Sequence, residues 1–240
     1  HSSGPGMPYR GRTHYPTGQS RREIEQSGIG TTTYQVMDRR ISDETIRYLE
    51  QHAGQLSRPF ATVAGFMLPH CPFVAPKELF DYYYPLTAAP PVETDLPPTI
   101  QRFRRERGIV DPPFSEKRLC IARAAYFALC EHFDGCIGRI LEALDRTGLA
   151  RNTLVVYCSD HGDMAGEHGC WWKSTYYEGS AGIPLIVRWP GVVKTASSSP
   201  TICNLTDLGT TFAAVAGTAF SSPVDGRSLL PVLAGERATL

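Results

Sequence analysis

The stretch SDHGDMAGEHG, residues 159–169, sets Asp160, His161, Asp163, Glu167 and His168 among eleven positions with three glycines. It follows directly on the apolar run TLVVYC, residues 153–158. Asp160 and His161 therefore emerge where a buried strand would stop. Glycine at 162 lets the backbone turn tightly. Such a turn brings neighbouring side chains to one side, which a regular strand forbids. A carboxylate oxygen beside an imidazole nitrogen suits a divalent cation. The Asp favours a hard ion such as Ca2+, Mg2+ or Mn2+, and the His admits Zn2+ or Mn2+. Two ligands do not complete a site, and a hydrogen-bonded acidic turn accounts for the same residues.

Two further side chains have chemistry to offer. Lys173 follows Trp171 and Trp172. It can neutralise an anionic oxygen as a point charge, or simply lay its stem over the two rings. His70 sits between Pro69 and Cys71 in MLPHCPFVAP, a stretch stiffened by three prolines. A rigidly mounted histidine can act as a general acid or an anion donor. A satisfied loop histidine is the plainer reading.

These residues need elements to position them. Residues 1–37 are rich in Gly, Pro, Ser, Thr and Arg and read as irregular chain. Ser42 is a candidate N-cap for a helix through about Ala53, with Gly54 as its stop. FATVAGF, residues 60–66, reads as a strand buried on both faces. The clearest helix runs from Ser115 to Gly148. Leu119, Ala122, Tyr126, Leu129, Phe133, Ile137, Ile140, Leu141 and Leu144 form its buried stripe. TLVVYC and IPLIVRW read as core strands, and Thr206 as the N-cap of a helix ending at Gly217. Residues 85–115, with seven prolines and many charges, read as a surface excursion. Alternating helices and strands predict an α/β fold, with a mostly parallel sheet sandwiched by helices.

Composition excludes several classes. The chain of 240 residues has 24 Lys plus Arg against 24 Asp plus Glu, so its net charge is zero. That balance gives no footprint for nucleic acid or a membrane surface. No apolar stretch reaches the roughly 18 residues a membrane span needs. The opening HSSGPGMPYRG has neither an initiator methionine nor a charged leader, and the chain reads as part of a longer protein. Seven cysteines form no C-x-x-C pair, which fits small buried hydrophobes and a reducing compartment such as the cytoplasm.

Together the motifs resemble the sulfatase family of the alkaline phosphatase superfamily. LVVYCSDHGDMAGEHGCWWKSTYYEGSAGIPLIVRWPG is similar to its run of S-D-H-G-D, G-E-H-G, W-x-K, Y-E-x-S, V-P-L-I and P-G. FMLPHCPFVAPKELFDYY resembles its P-H-x-P-F-x-x-P segment, and AAYFALCEHFDGCIGRILEALDRTGL its long helix. NLTDLGTTFAAVAG with VDGRSLLPVLAGE resembles its D-L-x-P-T helix and the loop after it. The resemblance runs from about residue 34 to 236, and ARAAYFA points to the choline-sulfatase-like branch.

The resemblance implies an alkaline-phosphatase-like fold, with residues 1–240 as one partial domain. It implies that Asp160 and His161 ligate a divalent cation, Ca2+ in most of the family. Lys173 would contact the sulfate, and His70 would assist the leaving group. His1 of HSSGP matches the histidine of a G-K-x-H motif and joins the candidate catalytic residues. Glu167 and His168 would build the loop. The expected reaction is hydrolysis of a small-molecule or saccharide sulfate ester by a formylglycine nucleophile. The nucleophile motif C-x-P/S/A-x-R is absent, because no cysteine here has Arg four positions on. The formylglycine and the family's N-terminal Asp pair would lie outside this chain. Gly182 stands where the family usually has Arg. A phosphonate monoester or phosphodiester hydrolase of the same superfamily is the near alternative, and a non-catalytic homologue the distant one.

Overall fold

The computed structural model describes residues 19–54, 59–91 and 93–236. Its helices are α1 (Arg21–Glu25), α2 (Thr33–His52), α3 (Lys77–Tyr83), α4 (Pro98–Glu106), α5 (Glu116–Arg146), α6 (Glu178–Ala181), α7 (Leu205–Val215) and α8 (Leu230–Leu233). Its strands are β1 (Gly28–Ile29), β2 (Val74–Ala75), β3 (Val155–Cys158), β4 (Met164–Ala165), β5 (Trp171–Trp172) and β6 (Leu185–Arg188). Two compact units result. One holds the chain up to Thr147 together with His161–Gly182, and the other holds Gly148–Asp160 and the chain from Ile183 onward.

The first unit is organised by α5. Ser115 caps it by accepting from the Arg118 N–H at 3.2 Å. Ala122, Ala124, Ala125, Ala128 and Leu129 are fully buried along one face. Small side chains let neighbouring backbone approach closely, and the large groups come from elsewhere. Phe73 lies 5.5 Å edge-on from Tyr126 and 6.0 Å from Trp171. Ile24, Tyr34, Phe80, Ile109 and Trp172 complete the same core. β1 and β2 pair in parallel, Gly28 with Val74 and Ile29 with Ala75.

The second unit is smaller. β3 and β6 pair antiparallel, Val155 with Arg188 through Cys158 with Leu185. Asn204 caps α7, accepting from the Thr206 N–H at 2.9 Å, while Asp207 answers the Asn204 N–H at 2.9 Å. The Asp207 carboxylate also accepts from the Arg227 N–H at 2.8 Å, which fixes the following loop.

Several expectations need correction. The α/β class stands, but the pairings are not those of one mostly parallel sheet. Among the described residues there are three two-stranded pieces, one parallel and two antiparallel. β6 begins opposite the residue where β3 ends, so the intervening loop returns to its starting end and the pair runs antiparallel. Residues 60–66 form no strand, and Val63 is 95% exposed. An apolar run becomes a strand only where a partner completes its ladder, and among the described residues none does. Within residues 19–37, expected to be irregular, lie α1, β1 and the start of α2. Thr32, paired with Gln35 in a capping box, starts α2, ten residues before Ser42. Ser42 is buried mid-helix and donates to the Cys136 carbonyl at 3.0 Å, tying α2 to α5. Asn204, two residues before Thr206, caps α7. None of the seven cysteines is in a disulfide. Among the described residues no helix is long and apolar enough to cross a membrane.

Glu23 offers a test of this packing. Burial pushes its carboxyl up from 4.5 to about 7, against the pull of the Ser20 N–H and of Arg22 and Arg107. The folded state therefore holds a proton that the unfolded chain has released. Stability is full below pH 4.5 and falls as pH rises from there through 7, by roughly 3 kcal/mol. Glu23→Gln keeps the acceptor for the Ser20 N–H and removes the ionisation. Denaturant unfolding at pH 5 and pH 8 should show a smaller pH-dependent loss in this variant than in the parent chain.

Candidate functional site

The hairpin of β4 and β5 positions the first pair of side chains. Met164 faces Trp172 and Ala165 faces Trp171. Both tryptophans, Met164 and Ala165 are buried, so both faces of the hairpin are packed. Its tip turns at Gly166 (φ +102°), where a Cβ would lie 2.7 Å from the Pro90 ring. The Gly166 N–H donates to the Cys170 carbonyl at 2.9 Å. The open end carries His161 on one side and Lys173 on the other. Lys173 Nζ donates to His161 Nε2 at 2.7 Å.

The turn before β4 is equally constrained. The Gly162 N–H donates to the Ser180 carbonyl at 2.9 Å. A Cβ at Gly162 would lie 2.3 Å from the Gly179 carbonyl oxygen and 2.6 Å from that of Gly182. Only glycine lets α6 approach so closely. His161 Nδ1 lies 2.7 Å from the Gly162 carbonyl, so this nitrogen carries the proton and Nε2 presents the lone pair. That is the tautomer a metal-ligating histidine needs. Asp160, two residues past β3, is exposed, with Ser159 Oγ 3.5 Å from its Oδ1.

The remaining acidic and histidine residues hold the loop. Glu167 accepts from Arg123 at 2.9 Å and from the Ala165 N–H at 2.7 Å. His168 Nδ1 meets the Glu93 carboxylate at 2.8 Å, and its ring stacks on Tyr177 with centroids 3.7 Å apart. Burial pushes the Asp163 carboxyl up to about 7, with Lys173 opposing and Glu167 reinforcing the shift. Asp163 Oδ1 is buried without a hydrogen-bond partner.

His70 belongs to the same unit. Its Nδ1 lies 2.7 Å from the Cys71 carbonyl, and its ring sits edge-on to Tyr34 at 5.7 Å. The segment is anchored by Asp38 of α2, which accepts from the Met67 and Leu68 N–H groups at 2.9 and 2.8 Å. Burial holds the Cys71 thiol well above its ordinary range. Glu23 and Asp163 push the same way and Lys173 opposes, so Cys71 lies within electrostatic reach of the hairpin's open end. His1 lies outside the described residues. At Gly182 the space for a side chain is taken: a Cβ would sit 2.4 Å from a Glu178 carboxylate oxygen.

Sequence reading missed Asp38, Arg123 and Glu93. Each acts across a long separation on a motif loop, and only pairing a buried carboxylate or guanidinium with a distant partner would have found them. Among the described residues no group of three or more His, Cys, Asp or Glu is placed to hold a metal. A divalent cation fits what is present as a partial donor set. His161 offers a correctly protonated imidazole and Asp163 a buried oxygen without a hydrogen-bond partner, while Asp160, in the other unit, is an exposed carboxylate.

A histidine, a lysine and carboxylates thus stand on one motif loop of an α/β fold. A sulfatase profile matches residues 6–218, and the chain belongs to the sulfatase family. It is 32% identical over 232 residues to a choline-sulfatase of Rhizobium meliloti (strain 1021), covering 90% of this chain and 44% of that protein. It is 40% identical over 121 residues to arylsulfatase K of Xenopus laevis, covering 50% of this chain and 22% of that one. The solved phosphonate monoester hydrolase from Silicibacter pomeroyi superposes with a TM-score of 0.70 at 29% identity, covering 82% of this chain and 41% of that one. The chain thus spans less than half the length of these relatives.

The close approach of α6 to Gly162 is testable. Gly162→Ala should lower stability by roughly 2 kcal/mol, because backbone must move to admit the methyl group. Gly65→Ala, whose Cβ meets nothing within 4 Å, should stay within about 0.5 kcal/mol. Urea unfolding of both variants checks the contrast.

Proposed function

We propose that these residues are part of a longer sulfatase that hydrolyses a small-molecule or saccharide sulfate ester to an alcohol and sulfate. The observation that carries this reading is the contact between Lys173 Nζ and His161 Nε2 at 2.7 Å on a sulfatase-family loop. One group suits a cation and the other suits an anionic oxygen. Their adjacency is what a sulfate bound against a metal ion requires.

Asp160 and His161 would hold a divalent cation, with Ca2+ first and Mn2+, Mg2+ or Zn2+ as the other candidates. When bound, the cation supplies positive charge against the sulfuryl oxygens. Lys173 swings its ammonium from the imidazole to a sulfuryl oxygen and stabilises charge that grows in the transition state. His70 is oriented by its Nδ1–H on the Cys71 carbonyl. When protonated it donates from Nε2 to the bridging oxygen as the alcohol leaves. Asp163 and Glu167 hold the loop. The nucleophile, expected to be formylglycine, lies outside this chain, as do the remaining metal ligands. Seven cysteines outside any disulfide support a reducing compartment.

The Silicibacter pomeroyi structure supports a second reading, phosphonate monoester hydrolysis, which the same groups serve because phosphoryl and sulfuryl oxygens demand similar stabilisation.

The 240-residue chain alone should give no turnover. The longer protein should hydrolyse 4-nitrophenyl sulfate with a rate lost on chelation and restored by Ca2+ or Mn2+. Lys173→Ala should lower kcat/KM on the order of 10²- to 10³-fold. A greater kcat/KM for a phenyl phosphonate monoester than for the sulfate would favour the second reading. Turnover of neither, with no divalent cation bound, would leave only a non-catalytic homologue.

A further inference from the structure

Nothing in the motif itself explains how a hairpin of two residues per strand holds His161 against Lys173. The antiparallel ladder alternates, and Gly166 bonds to Cys170 across it. The N–H and C=O of Ala165, one residue earlier, therefore point away from Trp171, toward the outer edge. Both are answered there by one ion pair. Arg123 Nη1 donates to the Ala165 carbonyl at 2.8 Å and to Glu167 Oε1 at 2.9 Å. Glu167 Oε2 accepts from the Ala165 N–H at 2.7 Å. Arg123 comes from the N-terminal third of α5, between the fully buried Ala122 and Ala124. The hairpin edge is thus bonded to the most deeply packed element of the unit.

We propose that Arg123 is a positioning residue for the His161–Lys173 pair, acting through Glu167 and Ala165 to hold the β4–β5 hairpin in register. The role rests on the sulfatase reading only for its catalytic consequence. Its structural part stands alone.

Two observations favour orientation over plain stability. Arg123 Nε is buried without a hydrogen-bond partner, so the guanidinium is held at the hairpin edge at a desolvation cost. The Arg123 and Glu167 side chains are 18% and 45% exposed, a setting in which an ion pair adds little net stability. Yet a one-residue slip of the hairpin would turn Lys173 to the opposite face, away from His161. The pair's geometric effect is therefore larger than its energetic one.

The test uses the longer protein and three variants, Arg123→Gln, Glu167→Gln and Arg123→Lys. Imidazole nitrogen NMR of His161 reports the Nε2 environment, and steady-state kinetics separate kcat from KM. Arg123→Gln and Glu167→Gln should shift the His161 Nε2 resonance. They should lower kcat on the order of tenfold to a hundredfold, the penalty of misplaced catalytic groups, with KM changed less than about threefold. Arg123→Lys, which keeps the charge, should recover part of both. A lowered melting temperature with unchanged His161 resonances and unchanged kcat would overturn the proposal, as would equal defects in Arg123→Lys and Arg123→Gln. If the parent protein turns over no sulfate ester, the sulfatase reading fails. The His161 resonances of the same variants then decide the positioning role by themselves.

Discussion

Everything at the candidate site depends on the register of one short hairpin. With Met164 opposite Trp172 and Ala165 opposite Trp171, the chain just outside the hairpin must bring Lys173 beside the segment that begins at His161. The 2.7 Å contact between their nitrogens follows from that register. The hairpin is packed through Ala165, Trp171 and Trp172 into the core built on α5, and Met164 is buried as well. Large side chains in the hairpin and small ones on the helix are two halves of one packing solution. The alanine face of α5 leaves room that Phe73 and the tryptophans fill.

Around this hairpin the loop is held from several directions by polar contacts. Gly162 lets α6 approach, and the Ser180 carbonyl takes the Gly162 N–H. Glu93 and Tyr177 hold His168 between a carboxylate and a ring face. Asp38 performs the equivalent task for the His70 segment with two backbone N–H bonds. Burial pushes the Asp38 carboxyl up, more than those two N–H groups pull it down. These contacts fix the segments that carry His161, His168 and His70.

The parts legible in the sequence were those with local signals. The α5 stripe, its Gly148 stop, the strands of TLVVYC and IPLIVRW and the dense loop at 159–169 all carry their information within a few residues. Ser42 misled because a serine before an apolar stripe looks like a cap, whereas its hydroxyl bonds to Cys136, 94 residues away. Residues 60–66 misled because apolar composition signals burial but does not supply a partner strand. The parallel sheet misled because strand direction depends on where the loop between β3 and β6 returns, which no local pattern records. Arg123, Asp38 and Glu93 were illegible for the same reason: each is an ordinary polar residue until its distant partner is known.

The central claim is that this hairpin holds Lys173 Nζ against His161 Nε2, the pair to which the proposed function gives an anion and a cation. Anomalous diffraction from crystals of the longer protein grown with Mn2+ and a sulfate ester analogue tests it most directly. The account predicts an anomalous peak within coordination distance of His161 Nε2 and an Asp160 carboxylate oxygen, with Lys173 Nζ moved onto the analogue's sulfate. A peak remote from both residues, with Lys173 still bonded to His161, would contradict it.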